Sequence, residues 1–530
     1  MRPGYAPAHK AIRSRPGFLR TLAWAFTMDG GGQILTLVVS FILAGLLGPR
    51  TYGVVAMALV YIAFVQMIQR QGMGSAIIQR KELTGRHLDT AFWLVLVVSA
   101  VLTSVSVVFA GWWAGVNDLP ELKPIIIALS ILIVIEALTT VQQALLTRHM
   151  KFRGLAARRL IGVGAGGALG IVGALIGWGA WAIVAQQLTT ATVSLVVLWA
   201  VSGWRPRLRF SRSAARDLLG FSTGSFLSSV AIFANNRADV LLVGLFFGPL
   251  VVGVYQLASR LIDMVVTIAS RPIQTVALPE LSPYQDDPAE FARRLRRLMR
   301  VSAIVALPVL GIVAACADPL IGLLGNEWND AVVVLQVLSI VGVIRIVIVI
   351  DGPLLQALGR PFVQAGITWI TAGVSVGTFT VAGLVLANMS EDRQALFIAI
   401  SRATIYGLLI VAIHVALVRR YTSLTIRDSL SPYLVPLAAG ALGIATGTAA
   451  LALINSTHAL LQLTVAGTAS AMTALATLLI FQSDLRSSLN GALRKNTDRA
   501  PARTLAGVAN GSLKTAIDHD LSTKSKSEIK

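Results

Sequence analysis

The stretch TAFWLVLVVSAVLTSVSVVFAGWWAGVN, residues 90–117, contains no charged side chain. A membrane hydrocarbon core roughly 30 Å thick needs about 20 apolar residues for one helical crossing, and this stretch is longer than that. Two further runs without Asp, Glu, Lys or Arg, 160–204 and 429–483, are too long for a single crossing. We predict that these two runs divide at turns, at residues 177–179 and 455–457, where Gly or Asn and Ser interrupt the apolar residues.

The same pattern recurs along the chain and predicts an all-α polytopic membrane protein with about 14 transmembrane helices. With 55% hydrophobic residues, 13% charged residues and a mean hydropathy of +0.73, the chain has too little polar surface for a soluble domain of its size. The predicted helices, in chain order, lie near residues 21–47, 52–68, 91–115, 122–146, 160–177, 180–203, 218–246, 250–270, 300–317, 331–358, 361–387, 394–418, 433–454 and 458–481.

The positive charge of the loops alternates between the two sides of the membrane. Of the 45 Lys and Arg residues, four lie well within predicted helices, and only Arg50, Lys123 and Arg393 lie in loops on one side. All the others lie in the loops of the opposite side and in the two tails. Because short loops rich in Lys and Arg stay in the cytoplasm, both termini are predicted to be cytoplasmic.

The net charge of +20 does not indicate a nucleic-acid partner, because short loops carry it, where it sets orientation and contacts anionic membrane lipids. The single cysteine, Cys316, excludes an intramolecular disulfide and a multi-cysteine metal site. The sequence contains neither a P-loop nor a His-Glu-x-x-His motif. We therefore predict a protein that moves its substrate without transforming it, which is not an enzyme and holds no cofactor and no metal.

A short motif occurs twice. The pattern Gly-Pro-x-x-x-Gly-Val stands at residues 48–54, between predicted helices 1 and 2, and again at 248–254, between predicted helices 7 and 8. We predict two parallel repeats of six helices each, a plan found in transporters. The predicted boundaries are a basic N-terminus at 1–20, an N-lobe at 21–204, a basic linker at 205–216, a C-lobe at 217–421, an additional helix pair at 422–482 and a polar tail at 483–530.

Residues 287–300 have the pattern of an amphipathic helix. The segment starts with Asp287 and Pro288, a typical N-cap and first helical position. Three apolar side chains share one face, and arginines cover the rest. The apolar side chains are Phe291, Leu295 and Leu298. We predict that this helix lies on the cytoplasmic surface of the membrane.

Ionisable side chains within predicted helices, with the polar side chains beside them, are the candidate functional residues, because a charge at the centre of a membrane costs at least about 2.5 kcal/mol. The candidates for binding a substrate in a central cavity are Arg237, Arg260, Asn235 and Asn236. The candidates for coupling to an ion are Asp29, Asp239, Asp263 and Glu136. Asp29 stands beside a run of three glycines, 30–32, which lets another backbone or a substrate approach closely.

Pairing between these charges is the alternative interpretation. Arg260 and Asp263 are three residues apart on one helix and can neutralise each other. Arg237 and Asp239 are two residues apart, point to different faces and need partners on other helices. Near the ends of their helices, Arg402 and Asp351 are predicted to reach the membrane interface. His414 is predicted to be packed inside the protein rather than to titrate.

Predicted helices 1 and 7 are the most polar of their lobes and open the two repeats. If the repeats face one another, these two helices line a central cleft. A cleft with several arginines beside Asn, Gln and Ser suits an anionic ligand rich in hydroxyl groups, because Arg binds phosphate oxygens in a fork.

Several segments resemble the bacterial polysaccharide exporters of the colanic-acid exporter type, which belong to the multidrug/oligosaccharidyl-lipid/polysaccharide (MOP) flippase superfamily. The resemblance covers roughly residues 20–420. The segments are LLGPRTYGVVAMA at 46–58, GMGSAIIQRK at 72–81, TAFW at 90–93, GAWAIVAQQ at 179–187 and NRAD at 236–239.

The resemblance implies a substrate, an undecaprenyl-pyrophosphate-linked oligosaccharide repeat unit that moves from the cytoplasmic to the periplasmic leaflet of the bacterial inner membrane. It implies two helix bundles that alternate access around a cationic cavity without ATP. A polysaccharide polymerase and glycosyltransferases are the expected protein partners. Relatives often have an acidic residue just before the glycine that corresponds to Gly72, where this chain has Gln71. Asp29 therefore becomes the stronger candidate for a titrating group.

Three other functions fit parts of the pattern. A drug–cation antiporter of the same superfamily should line its cleft with acidic and aromatic groups, whereas this cleft is predicted to be rich in Arg. A peptidoglycan-precursor flippase fits the number of helices, but the motifs of predicted helices 1–3 resemble it less. An integral membrane glycosyltransferase should carry a large periplasmic loop, and the predicted external loops are short.

Overall fold

The computed structural model describes residues 16–70, 73–80, 83–386, 389–454 and 458–482, with the backbone alone for residues 16–30, 70, 218–229, 236, 392 and 406. The described residues are mostly helical and include no β-strand. The α-helices are α1 Pro16–Arg70, α2 Met73–Gln79, α3 Gly85–Val116, α4 Leu122–Leu129, α5 Ile131–Arg148, α6 Phe152–Leu175, α7 Ala180–Ser202, α8 Arg212–Leu281, α9 Pro288–Ala315, α10 Ala317–Gly322, α11 Asp330–Val347, α12 Asp351–Ala357, α13 Pro361–Leu386, α14 Glu391–Ser401, α15 Gly407–Tyr421, α16 Ile426–Leu453 and α17 Ala459–Phe481.

Twelve helical segments of the described residues are long and apolar enough to cross a membrane, which confirms the predicted fold class. Two of these segments, Gly31–Gln69 within α1 and Arg237–Tyr284, which runs from α8 into the turn after it, are each kinked at a glycine where two predicted helices meet. Predicted helices 1 and 2 form one kinked segment, and so do predicted helices 7 and 8, which accounts for the difference between 12 segments and about 14 predicted helices. The number of crossings stays a prediction. The turn predicted at 177–179 separates α6 from α7, with positive φ at Gly177 and Gly179. The turn predicted at 455–457 lies outside the described residues.

The two kinks have nearly the same backbone geometry. Gly48 has φ 73° and ψ 165°, and Gly248 has φ 81° and ψ −178°. Residues with a side chain rarely adopt such a positive φ. The proline that follows each glycine suits the start of the next helical arm, because its ring fixes φ near the helical value. The repeated sequence motif therefore forms a repeated local structure.

The two copies of the motif also contact each other reciprocally. A Cβ atom on Gly53 would overlap the carbonyl oxygen of Pro249 and lie 2.7 Å from its carbonyl carbon. A Cβ atom on Gly253 would overlap the carbonyl oxygen of Pro49 and lie 2.8 Å from its carbonyl carbon. Backbones touch this closely only where small residues allow it. The reciprocity is the arrangement expected of two repeats related by a two-fold axis, and it joins α1 to α8 just beyond the kinks.

The additional helix pair, α16 and α17, packs against the C-lobe through small residues. A Cβ atom on Gly311 of α9 would lie 2.7 Å from the carbonyl oxygen of Gly440 on α16. One on Gly447 would lie 2.9 Å from the Cβ of Ala315. In a membrane, such close approach supplies the van der Waals contact that holds helices together. The pair is thus a layer on α9, away from the contact between α1 and α8.

The prediction of a separate helix on the membrane surface at 287–300 is wrong. Asp287 does cap a helix, since its carboxylate accepts hydrogen bonds from the amides of Ala289 and Glu290 at 3.2 and 3.1 Å. That helix is α9, which continues without interruption to Ala315. Its apolar residues Phe291 and Leu295 are buried in the protein core. The apolar face is therefore covered by other helices. A local sequence pattern cannot tell whether an apolar face packs against other helices or against lipid.

The linker at 205–216 folds against the N-lobe. The amide of Arg207 donates to the Asp89 carboxylate at 3.0 Å, and the indole of Trp93 donates to the carbonyl of Arg207 at 2.8 Å. The amide of Ser211 donates to the hydroxyl of Thr90 at 3.1 Å. These three contacts fix the start of α8 at the first turns of α3. The linker is thus bound to α3.

Candidate functional site

A cavity of about 430 Å³ lies between α1 and α8, with α6 and α7 forming part of its wall. Both arms of each kinked helix contribute to the lining, so the repeated motif stands beside the cavity. Its described lining contains four arginines and one carboxylate, which makes the cavity strongly cationic. The charged residues are Arg159, Arg237, Arg260, Arg271 and Asp263.

The neutral part of the lining is rich in hydrogen-bonding groups. Amide side chains can both donate and accept, and hydroxyl groups can do the same. The amides are Gln33, Gln186, Gln187 and Gln256, and the hydroxyls belong to Thr36, Ser40, Tyr52 and Thr267. A cavity with this chemistry can hold an anion through its arginines and a group of hydroxyls through its amides.

Two of the four predicted substrate-binding residues line the cavity. Arg237 and Arg260, on the two arms of α8, are both in its wall. Asn235 is partly buried on α8 and is not among the lining residues. The side chain of Asn236 lies outside the described part of the chain. The structure therefore brings together the predicted arginines, but not the predicted asparagines.

The pairing of Arg260 with Asp263, which sequence spacing allowed, is replaced by contacts with other helices. Asp263 forms an ion pair with Arg345 of α11. Arg260 donates to the hydroxyl of Tyr52 at 3.3 Å, across the boundary between α8 and α1. The charge of the Asp263 carboxylate is therefore neutralised by Arg345, which is not a lining residue. Arg260 contacts the neutral hydroxyl of Tyr52 at the cavity wall.

Asp239 is buried in a network within the C-lobe. Its carboxylate pairs with Arg402 at 2.6 Å and accepts a hydrogen bond from the hydroxyl of Tyr255 at 3.1 Å. Arg402 also donates to that hydroxyl, and it begins a π-helical turn between α14 and α15. The prediction that Arg402 reaches the membrane interface is wrong, because its guanidinium is bound by the buried carboxylate of Asp239, on a helix far away in the sequence. The sequence predicted that Asp239 cannot pair with Arg237 on the same helix and needs a partner on another one, and Arg402 is that partner.

Asp351 and His414 form a second buried pair. Nδ1 of His414 lies 2.7 Å from the Asp351 carboxylate, and the imidazole is fully buried. The ring packs edge-on against Tyr433 of α16, with ring centroids 6.5 Å apart. The packed position predicted for His414 agrees with this burial. The prediction that Asp351 reaches the interface is wrong, because His414 binds its carboxylate inside the protein.

The other ion-coupling candidates lie outside the cavity or outside the described side chains. Glu136 is partly buried on α5 and is not a lining residue. The side chain of Asp29 is not described. A role in ion coupling for any of the four carboxylates therefore stays a prediction. For Asp239 such a role would require Arg402 to leave it first.

Two cavity arginines were missed by sequence reasoning, because both fell in segments assigned to loops. Arg159 is in the second turn of α6 and packs over Gly32, where a Cβ atom would lie 2.8 Å from the Cδ of Arg159. The glycine run beside Asp29, predicted to allow a close approach, accommodates this side chain. Arg271 lies one residue beyond the predicted end of helix 8, but α8 continues past Pro272 to Leu281. Treating prolines as tolerated within membrane helices would have included it.

Comparison with known proteins gives matches in sequence and in fold. The polysaccharide biosynthesis protein family matches residues 42–333 of the chain. The succinoglycan biosynthesis transport protein ExoT of Rhizobium meliloti is 26% identical over 322 residues, which are 61% of this chain and 65% of ExoT. The chain thus spans just under two thirds of that relative's length.

Two solved structures share the fold at low sequence identity. The lipid II flippase MurJ, in an inward closed conformation, aligns with a TM-score of 0.66 and 16% identity, over 87% of this chain and 99% of MurJ. An inward-facing multidrug resistance MATE transporter of the MOP superfamily aligns with a TM-score of 0.54 and 16% identity, over 78% of this chain and 94% of that one. The fold is therefore that of the MOP transporters.

Proposed function

Because the chain belongs to the polysaccharide biosynthesis protein family, we propose that it translocates undecaprenyl-pyrophosphate-linked oligosaccharide repeat units across the bacterial inner membrane. Translocation runs from the cytoplasmic to the periplasmic leaflet, for exopolysaccharide, capsule or O-antigen synthesis. The observation that carries the proposal is the cationic cavity between α1 and α8, whose described wall contains four arginines and four glutamines.

The chemistry of the cavity matches the two polar parts of such a substrate. A pyrophosphate linker offers several negatively charged oxygens, and the planar guanidinium of Arg binds two of them at once. Sugar hydroxyls exchange hydrogen bonds with the amides and hydroxyls of the lining. A cavity of about 430 Å³ with this polar lining suits a headgroup, so the long apolar chain of the lipid stays in the bilayer.

The alternatives fit less well. A drug–cation antiporter would hold a cation, which the four arginines repel. A peptidoglycan-precursor flippase shares the fold, since MurJ is a structural neighbour of this chain at 16% identity, but the family match is to polysaccharide biosynthesis proteins. A membrane glycosyltransferase is disfavoured because ExoT, with which the chain shares 26% identity, is named a transport protein.

Purified full-length protein in liposomes tests the proposed substrate. We expect it to expose the sugars of an undecaprenyl-pyrophosphate oligosaccharide to a membrane-impermeant glycosidase, without nucleotide, faster than protein-free liposomes do. Lipid II, assayed in parallel, should be moved more slowly because its peptide is foreign to a sugar-binding cavity. Translocation of lipid II alone, or a requirement for ATP, would contradict the proposal. The same assay tests the predicted coupling role of Asp29. Asp29→Asn should weaken translocation that depends on an ion gradient. Equal translocation with Asn there and with the ion gradients collapsed would contradict that role.

Reporter fusions test the proposed topology, in which both termini are cytoplasmic. Fusions after Arg209 and after Arg427 should report the cytoplasm, and a fusion after Asp118 should report the periplasm. The reason is that basic loops alternate with loops that are almost free of Lys and Arg. A fusion after Asp498, in the tail, should match the first two, and a periplasmic signal there would contradict the proposed number of crossings.

A further inference from the structure

Tyr52 stands where the cavity meets the contact between the two repeats. It follows the kink of α1, is 5% exposed and lines the cavity. Its hydroxyl is 2.8 Å from the hydroxyl of Ser40, on the other arm of the same helix. It also accepts the hydrogen bond from Arg260 of α8 at 3.3 Å. A single hydroxyl thus connects a cavity arginine of the C-lobe to the N-lobe.

Tyr52 also lies among the contacts between α1 and the C-lobe that close this end of the cavity. The next residue, Gly53, rests against the carbonyl of Pro249 in the reciprocal contact of the two repeats. The ring of Tyr52 packs edge-on against Trp328, with ring centroids 5.9 Å apart. Trp328 is fully buried in a short turn of the C-lobe, between α10 and α11. Backbone contact and aromatic packing therefore close the lobes around Tyr52.

We propose that Tyr52 couples occupation of the cavity by an anion to the opening of this closure. The inference rests on the proposed function, since it takes the anion to be the pyrophosphate of the substrate. An anion bound by Arg260 withdraws the guanidinium from the Tyr52 hydroxyl. The hydroxyl then keeps only its partner in the N-lobe, Ser40, and the lobes lose a bond that crosses between them.

The strengths of the hydrogen bonds favour this exchange. The contact from Arg260 to Tyr52 is long for a hydrogen bond, at 3.3 Å, and its acceptor is neutral. A bond from the same guanidinium to a phosphate oxygen is charge-assisted and roughly twice as strong. Arg260 therefore prefers the anion whenever one is present. The empty transporter stays closed at this end, which prevents opening without cargo.

Distances between spin labels on the two lobes measure the closure directly. Asp118 and Ser390 are exposed, in loops of the N-lobe and the C-lobe that the proposed topology places at the end where the kinks lie. The labelled protein is full-length with Asp118→Cys and Ser390→Cys, and the buried Cys316 is replaced by Ala. The protein in lipid nanodiscs is measured without ligand, with undecaprenyl pyrophosphate and with the neutral alcohol undecaprenol. Binding of both lipids is measured on the same samples.

We expect undecaprenyl pyrophosphate, and not undecaprenol, to shift the distance distribution to longer values. In Tyr52→Phe, which keeps the ring against Trp328 but lacks the hydroxyl, the longer distances should appear without ligand. Added pyrophosphate lipid should then cause no further shift. Tyr61→Phe is the matched control, because the Tyr61 hydroxyl donates to the carbonyl of Ser106 within the N-lobe at 3.2 Å. This control should behave like the unmodified protein.

Two results would overturn the inference in distinguishable ways. If undecaprenyl pyrophosphate binds but Tyr52→Phe still opens only with it, the coupling does not pass through Tyr52 and the proposed function stands. If undecaprenyl pyrophosphate does not bind at all, both the proposed function and the inference fail.

Discussion

Gly53→Ala should lower export by at least tenfold while the protein still reaches the membrane. The added methyl group would overlap the carbonyl oxygen of Pro249 and lie 2.7 Å from its carbonyl carbon, so the two repeats cannot close as they do here. Both partners at this contact are backbone atoms, which cannot rotate away as a flexible side chain can. A shift of about 1.4 kcal/mol in the balance between closed and open states already changes a population tenfold.

The reciprocal change and a matched control sharpen this expectation. Gly253→Ala should have the same effect, because its methyl group would overlap the carbonyl oxygen of Pro49. Gly164→Ala, within α6, adds the same methyl group where no other atom lies within 4 Å, and it should export normally. The measurement is complementation of a flippase-null strain, together with the amount of protein in the membrane. Normal export by Gly53→Ala would mean that this closed contact is not part of the transport cycle.

The motif at these glycines shows what sequence can predict. Helix spans follow from runs of apolar residues, and the kinks follow from Gly-Pro at 48–49 and 248–249, because both signals are local. The repeat of the motif also predicted two parallel repeats, but it left open whether the two copies face each other. Only the structure reveals that Gly53 and Gly253 exchange backbone contacts, since sequence gives no distance between segments so far apart.

The charged network shows where sequence reasoning stops. Sequence spacing can indicate a pair three residues apart, such as Arg260 and Asp263. In the structure, however, Asp263 forms its ion pair with Arg345, which is 82 residues away in the sequence. Arg402 finds Asp239 at a separation of 163 residues. Partners of this kind depend on which helices become neighbours. They also separate the arginines by role, because Arg345 and Arg402 meet carboxylates while Arg260 meets a tyrosine hydroxyl at the cavity.

Removing the cavity arginines should therefore remove transport rather than the fold. We expect the Arg237→Ala, Arg260→Ala double variant to lose export of repeat units while the protein level in the membrane stays normal. Hydrogen bonds to a charged group contribute about 1.5–3 kcal/mol each, so the loss of one arginine should weaken binding of a pyrophosphate by roughly 10-fold to 100-fold. Both arginines line the cavity from α8, so the two losses act on the same ligand.

Conservative substitution distinguishes the shape of the guanidinium from its charge. Arg260→Lys keeps the positive charge but loses the planar fork that holds two phosphate oxygens, so it should retain only partial export. Arg209→Ala removes an exposed arginine of the linker, outside the cavity, and should export normally. Export and protein level are again compared in a flippase-null strain. Full export by the double alanine variant would show that these arginines are structural and that the anion binds elsewhere, with Arg159 and Arg271 as the next residues of the cavity to change.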